Sequence, residues 1–242
     1  FDYSQQEPRL TVHYASLTNQ PGAENAVVQY RDENADFHQI VADMANIPRK
    51  QAKDINLALS YGMGKKKLIQ TLGISDIEAE DLIARYHQRV PFVKALADSC
   101  MRNASNRGYV TTLLGRKCRF NLFEPRGQRN IPLPYTEASE KWGEENIARS
   151  YTYKALNRLI QGSAADMTKK AMLDLYKEGY VPHVQVHDEL DISVETKQQA
   201  KQIKEIMENC VQLEVPNVVD AELGTTWGNA TTSYEEAFDE RN

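Results

Sequence analysis

Arg49, Lys53, Leu57 and Tyr61 recur at every fourth position of the stretch RKQAKDINLALSYG, residues 49–62. A step of four advances about 40° around a helix, so these side chains share one slowly fanning face over roughly 18 Å of axis. Two cations thus precede an apolar and an aromatic group. Such a ladder suits an extended ligand with a polyanionic end and an aromatic end, with Lys53 as a point charge and Arg49 as a fork for phosphate oxygens. A nucleoside triphosphate has that shape. The same spacing also suits an exposed amphipathic helix with no ligand, and periodicity leaves both readings open.

The second group is acidic. In HVQVHDELDISV, residues 183–194, two alternating apolar runs meet at His187, Asp188 and Glu189. Val184 and Val186 on one run, and Leu190, Ile192 and Val194 on the other, would each send one face into a core, which makes a hairpin with acid at its tip. Two-residue hairpin loops favour Gly or Asn, which supply positive φ, and neither is present. A local rule is broken where the acids sit. In DYSQQEPR, residues 2–9, Asp2 stands at the end of an expected strand. Alone it reads as surface, but paired with Asp188 it fits Mg²⁺, which is usually held by one or two carboxylates plus substrate phosphates. Two such ions can activate an attacking 3′-hydroxyl and stabilise a leaving pyrophosphate.

These groups need elements to place them. Asp36 caps an expected helix in which Phe37, Ile40, Val41 and Met44 fall at helical spacing. After Pro48, residues 49–61 read as a helix closed by Gly62, and 65–72 as a shorter one closed by Gly73. Ser75 and Glu78 form a capping box that opens a helix to about Gln88, and Pro91 starts another that ends near Gly108. YVTTLLGRKCRF, 109–120, reads as a hairpin turning near Gly115, and 124–134 as a loop. Helices over 138–160 and 163–178 follow, the second ended by Gly179. Beyond the 183–194 hairpin come a helix carrying Ile203, Ile206, Met207 and Val211, and a strand over 217–223. The tail after Trp227 has little to pack and is expected to be mobile.

The chain has 242 residues, 41% apolar and 26% charged, which is ordinary globular composition. No apolar run approaches the ~18 residues of a membrane span, and the first residues lack the basic flank and apolar block of a signal peptide. Cys100, Cys118 and Cys210 lack metal-ligand spacing and read as reduced thiols in a cytoplasmic compartment. A net charge of −5 argues against indiscriminate polyanion binding, yet Arg49, Lys50, Lys53 and Lys65–Lys67 crowd one region, and Arg116, Lys117 and Arg119 another.

The segments DYSQQEPR, RKQAKDINLALSYG and VQVHDEL resemble, in order and separation, motifs A, B and C of the family A DNA polymerases. NRGYVTTLLGRKCRF, ALNRLIQGSAADMTKKAM and ELGTTW resemble further stretches of that family, so the likeness runs to about Trp227. The resemblance implies an α/β (α+β) right-hand polymerase fold fragment. Palm elements would occupy 1–35 and 151–228, a helical fingers portion 36–150, and a polar tail 229–242. It further implies that Asp2 and Asp188 bind two catalytic Mg²⁺ ions, with the Tyr3 carbonyl as another ligand, Glu189 as a supporting carboxylate and Lys53 in a catalytic role. Arg49, Lys53, Leu57, Tyr61, Gln5 and His38 would bind the incoming dNTP, and Glu7 would crowd its 2′ position. His187, Gln161, Asn157, Arg116, Arg107 and Gly62 would contact primer-template DNA.

The match has departures. Leu57 stands where most relatives carry Phe or Tyr, which implies altered selection among nucleotide analogues and slower incorporation; Gln6 and Pro8 replace commoner apolar residues. Only Phe1 precedes Asp2, so the strand expected to carry Asp2 is missing, and the 183–194 hairpin is expected to lack a sheet neighbour. The expected partners are therefore primer-template DNA, dNTPs and an N-terminal polypeptide carrying the thumb and the rest of the palm. A single-subunit RNA polymerase shares the A and C acids, but Glu7 and HDEL favour the DNA enzyme. A metal-dependent nuclease would have no need of the 49–61 ladder, and a non-catalytic DNA-binding subunit no need of the carboxylates.

Overall fold

The computed structural model describes residues 1–31, 36, 38, 39, 42, 47–60, 65–128 and 130–237, with backbone only for 54, 57–60 and 235. Most of the helix expected after Asp36, and Tyr61 and Gly62, lie outside these residues. Among the described residues no helix is long and apolar enough to cross a membrane, and all three cysteines are free.

Four short strands form an antiparallel sheet in the order Val184–Val186, Glu189–Asp191, Asp2–Tyr3, Val219–Asp220. The expectation that Asp2 has no strand is thus corrected: Asp2 pairs with Glu189 on one side and Asp220 on the other. Backbone bonds between Phe1 and Leu190, 2.9 and 3.1 Å long, extend the same ladder. Pleating then separates the faces. Tyr3, Leu190 and Val219 are buried together with Met167, Ala171, Leu175, Ile203 and Met207, contributed by the helices Ala155–Lys177 and Lys197–Asn209. Each large aliphatic side chain so buried contributes about 1.5–3 kcal/mol. The opposite face carries Asp2, Glu189 and Asp220, neighbours in register.

The hairpin Val184–Asp191 is present, but its apolar pattern is only half used. Leu190 is fully buried while Val184 is 41% exposed, because the strand Val184–Val186 is the sheet's outer edge. Ile192 and Val194 pack against the core from beyond the paired residues.

A larger core lies on the other side of the Ala155–Lys177 helix, among the helices Gln6–Leu17, Ala23–Tyr30, Arg49–Ser60, Lys65–Leu72, Asp76–Arg89 and Pro91–Arg107. The first two helices had no expectation behind them. Gln6, Arg9, Thr11 and His13 are buried in the first, so its inward face does not read as apolar. Arg9 is 1% exposed, donates to the carbonyls of Ser4 (3.1 Å) and Pro216 (3.0 Å), and lies over the Tyr30 ring.

Elsewhere the local signals hold. The Ser75–Glu78 capping box opens Asp76–Arg89, Pro91 is the first residue of its helix, and Gly108 ends that helix at φ 79°. Tyr109–Thr111 pairs with Lys117–Arg119 as the expected hairpin. The expected loop 124–134 instead contributes strands Leu122–Pro125 and Leu133–Pro134, which with Ile147–Arg149 make a small sheet. The two helices expected over 138–178 are Tyr135–Trp142 and the uninterrupted Ala155–Lys177, with Gly162 inside it. The strand over 217–223 divides between two sheets, since Glu222–Leu223 pairs with Thr232–Ser233. The segment after Trp227 is therefore paired, and it continues into the helix Tyr234–Ala237.

Candidate active site

The acid-bearing face of the four-stranded sheet looks onto the helix Arg49–Ser60 across a cleft of about 690 Å³. Ten residues picked out in the sequence line it: Asp2, Tyr3, Gln5, Glu7, His38, Arg49, Lys53, Gln161, His187 and Asp188. They come from the ends and the middle of the chain, and only folding brings them together.

His187 and Asp188 are the whole of the two-residue loop, because Val186 pairs with Glu189. His187 takes φ 56°, the left-handed region that Gly or Asn would have entered at less cost. The loop thus accepts strain at the residue that lines the cleft. Gln185 steadies it by donating to the His187 carbonyl at 2.9 Å.

Asp2 opens into the cleft, yet its carboxyl is pushed up to about 6, first by burial of its surroundings and then by the charges of Asp188 and Glu189, with Asp220 adding to them. Asp188 is likewise raised by burial, against the pull of His187 and Lys53. Like charges this close destabilise one another. Asp220 is the acid that the sequence reading missed. Its signal was a carboxylate interrupting the apolar side of NVVDAEL, which also carries Glu222.

Opposite the acids, the Arg49 Nε donates to Asp36 at 2.5 Å, and the other Asp36 oxygen accepts the His38 and Gln39 N–H groups at 3.0 and 3.1 Å. Burial would raise Asp36, but the Arg49 bond and these N–H groups hold it below its ordinary value. His38 Nδ1 is 3.3 Å from the Asn56 amide nitrogen, and Asn56 accepts from the Tyr86 hydroxyl at 3.1 Å. All three are buried. This chain of polar contacts fixes the cationic helix and His38 with respect to each other, and a satisfied buried network is a rigid one.

The third wall is the Ala155–Lys177 helix, where Gln161, Ala165 and Thr168 line the cleft. Thr168 accepts from the Gln6 amide at 3.3 Å. Asn157 lies one turn before Gln161, outside the cleft lining. Arg107 is exposed at the end of its own helix. Arg116 bonds Asp166 at 3.0 Å and the Gly162 carbonyl at 2.8 Å, which clamps the 109–119 hairpin to the helix. Glu189 is outside the cleft lining too and accepts the Trp227 indole N–H at 3.0 Å. The Leu57 side chain, Tyr61 and Gly62 fall outside the described residues.

Among the described residues no group of three or more His, Cys, Asp or Glu side chains is placed to hold a metal ion by itself. The donor set nevertheless fits a hard divalent cation whose remaining ligands are substrate oxygens. Asp2 and Asp188 are the carboxylates suited to it, and their mutual repulsion is what such a cation would relieve.

The fold is that of a polymerase domain. It superposes with a TM-score of 0.67 on the POL domain of Pol1 from M. smegmatis, solved in complex with DNA primer-template and dNTP, at 29% identity over 89% of this chain and 37% of that one. The chain belongs to DNA polymerase family A, whose family model matches residues 1–229. A DNA-directed DNA polymerase of a Pseudomonas phage is 37% identical over 95% of this chain and 38% of its own length. DNA polymerase I of Bacillus caldotenax is 35% identical over 95% of this chain and 25% of its own. The chain thus spans well under half the length of the relatives it matches.

Proposed function

We propose that this chain carries the catalytic portion of a DNA-directed DNA polymerase that adds deoxynucleotides to a primer 3′ end on a DNA template. The observation that carries the reading is the cleft that joins Asp2 and Asp188 to Arg49 and Lys53. Acids alone would suit a nuclease, and cations alone a phosphate-binding surface. Their confrontation suits transfer of a nucleotidyl group, in which charge develops on phosphate oxygens beside an attacking hydroxyl.

In this reading Arg49 and Lys53 bind and orient the triphosphate, His38, Gln5, Leu57 and Tyr61 complete the dNTP site, and Glu7 excludes the 2′-hydroxyl. His187 meets the primer terminus, while Asn157 and Gln161 face the nascent duplex, where minor-groove acceptors are nearly alike for every correct pair. Arg116, Arg107 and Gly62 lie along the DNA. Asp2 and Asp188, with the Tyr3 carbonyl, hold two Mg²⁺ ions, and Glu189 supports them. When bound, such ions supply Lewis-acid activation of the 3′-hydroxyl and neutralise the leaving pyrophosphate. Residues 1–35 and 151–228 serve as palm and 36–150 as fingers, whose closure brings Arg49 and Lys53 onto the triphosphate. Primer extension further requires the polymerase elements that relatives carry outside the matched span, chiefly a thumb and the remaining palm on an N-terminal polypeptide segment.

Primer extension by the protein containing this chain, supplied with Mg²⁺, tests the reading. Asp188→Asn and Lys53→Ala are each expected to lower single-nucleotide incorporation by about 10²–10³-fold, with primer-template affinity changed by no more than a few-fold. Incorporation at the parental rate by Asp188→Asn overturns it.

A further inference from the structure

Trp227 is 60% exposed, yet its indole N–H donates to Glu189 Oε1 at 3.0 Å. An indole so open to water has no need of a protein acceptor. The bond therefore matters for what it does to the carboxylate, since a hydrogen bond to a charged group holds its direction.

The loop that presents Trp227 is closed on itself. Asn229 N–H donates to the Thr226 carbonyl at 3.0 Å and Ala230 N–H to the Trp227 carbonyl at 3.2 Å. At Gly224 any Cβ would lie 2.2 Å from the Asn229 carbonyl oxygen and 2.6 Å from the Ala230 nitrogen, so the two limbs of the loop touch backbone to backbone. The paired strands Glu222–Leu223 and Thr232–Ser233 tie the loop's base, and Tyr234 N–H returns to the Ala221 carbonyl at 3.0 Å. Ala221 directly follows Asp220, the residue paired with Asp2. A rigid loop anchored beside the acid row thus places one N–H donor on Glu189, itself the partner of Asp2 on the other side.

We propose that Trp227 is a positioning residue for nucleotidyl transfer, holding the Glu189 carboxylate in one orientation beside Asp2. This inference rests on the polymerase reading of the cleft. Without the N–H, Glu189 would keep its contact with Asp191 and could turn toward its neighbour Asp2, adding to the repulsion there.

The experiment uses the complete polymerase containing this chain. Trp227→Phe keeps the ring and removes the donor. Its kcat for single-nucleotide incorporation is expected to fall about tenfold, equivalent to about 1.4 kcal/mol of barrier, with KM for dNTP within twofold of the parent. Glu189→Ala, which removes the acceptor, should lose at least as much, and adding Trp227→Phe to it should cost nothing further, because the indole then has no carboxylate to hold. In ¹⁵N-labelled protein the Trp227 indole resonance, identified by its disappearance in Trp227→Phe, should move in Glu189→Ala. A folded Trp227→Phe with parental kcat, an additive double variant, or an unmoved indole resonance each overturns the proposal. Failure of the underlying reading is told apart by Asp188→Asn, which would then extend primers at the parental rate.

Discussion

His187 holds a left-handed backbone that costs a non-glycine residue roughly 1–2 kcal/mol. The sheet supports it through the Val186–Glu189 pairing and the Gln185 side chain. The strain sits at a cleft-lining residue, where such outliers concentrate when function fixes the side chain. Replacing His187 with Gly should therefore stabilise the chain by about 1 kcal/mol, a rise of about 2–4 °C in Tm, while primer extension falls. Calorimetry and single-nucleotide kinetics on the same variant check both halves. At this scale the sequence was informative where residue type is itself the signal. Asp2, Asp188, Arg49 and Lys53 could be singled out by residue type and motif resemblance, although the 49–61 spacing also suited a bare amphipathic helix, and the fold brings the four to one cleft. Asp220 was not, because a short run bearing both Asp220 and Glu222 gives no clue to which strand lies beside it.

Among the elements, the Ala155–Lys177 helix carries the most contradictory demands. It walls the cleft with Gln161 and Thr168, covers the sheet with Met167, Ala171 and Leu175, and receives the 109–119 hairpin at Gly162. In a free helix Ala is preferred to Gly by about 1 kcal/mol. At Gly162 a Cβ would come within 2.7 Å of the Thr112 methyl, on a buried side chain with little room to retreat. Overpacking costs about 1–3 kcal/mol, so Gly162→Ala is expected to be net destabilising by about 1 kcal/mol, as a lowered urea midpoint at unchanged slope would show. The sequence reading broke the helix at this glycine because an isolated Gly is local punctuation, whereas its reason here is a neighbour some fifty residues away in the chain. Capping boxes and proline starts were legible for the opposite reason, since both partners lie within one turn. The first helix stayed hidden because its buried face mixes polar with apolar residues, with Arg9 reaching the Pro216 carbonyl and His13 the Glu214 N–H far along the chain.

On the scale of the whole molecule, the two ends of the chain are stitched together. His13 Nδ1 accepts the Glu214 N–H at 3.1 Å, and burial lowers the imidazole below its usual 6.5 even though the Glu214 charge opposes this. Between those two values the unfolded chain binds the proton more readily than the folded one, so stability rises with pH there. The contribution of His13 is thus complete above about 6.5 and is lost as pH falls through that value. Urea unfolding at pH 5.5 and 7.5 should show a larger loss on acidification for the parent than for His13→Asn, which has nothing to titrate. Equal losses would mean that folding leaves the proton affinity of His13 unchanged. Taking the difference also removes the raised carboxyls of Asp2 and Asp188, which titrate with the opposite sign.

The sheet order carries a consequence in time. The strand holding Asp2 finds its partners only in Glu189 and Asp220, and the bond from Phe1 to Leu190 spans 189 positions. Loops of that length close late and slowly. A ribosome adding about 5–20 residues per second therefore needs on the order of tens of seconds to deliver the last strand after the first has emerged. Until then Asp2 lacks its Asp220 neighbour. The acid row is complete only once residues 219 and 220 join the sheet, so a prematurely released fragment ending before residue 219 would retain the cationic helix and lack Asp220 beside Asp2.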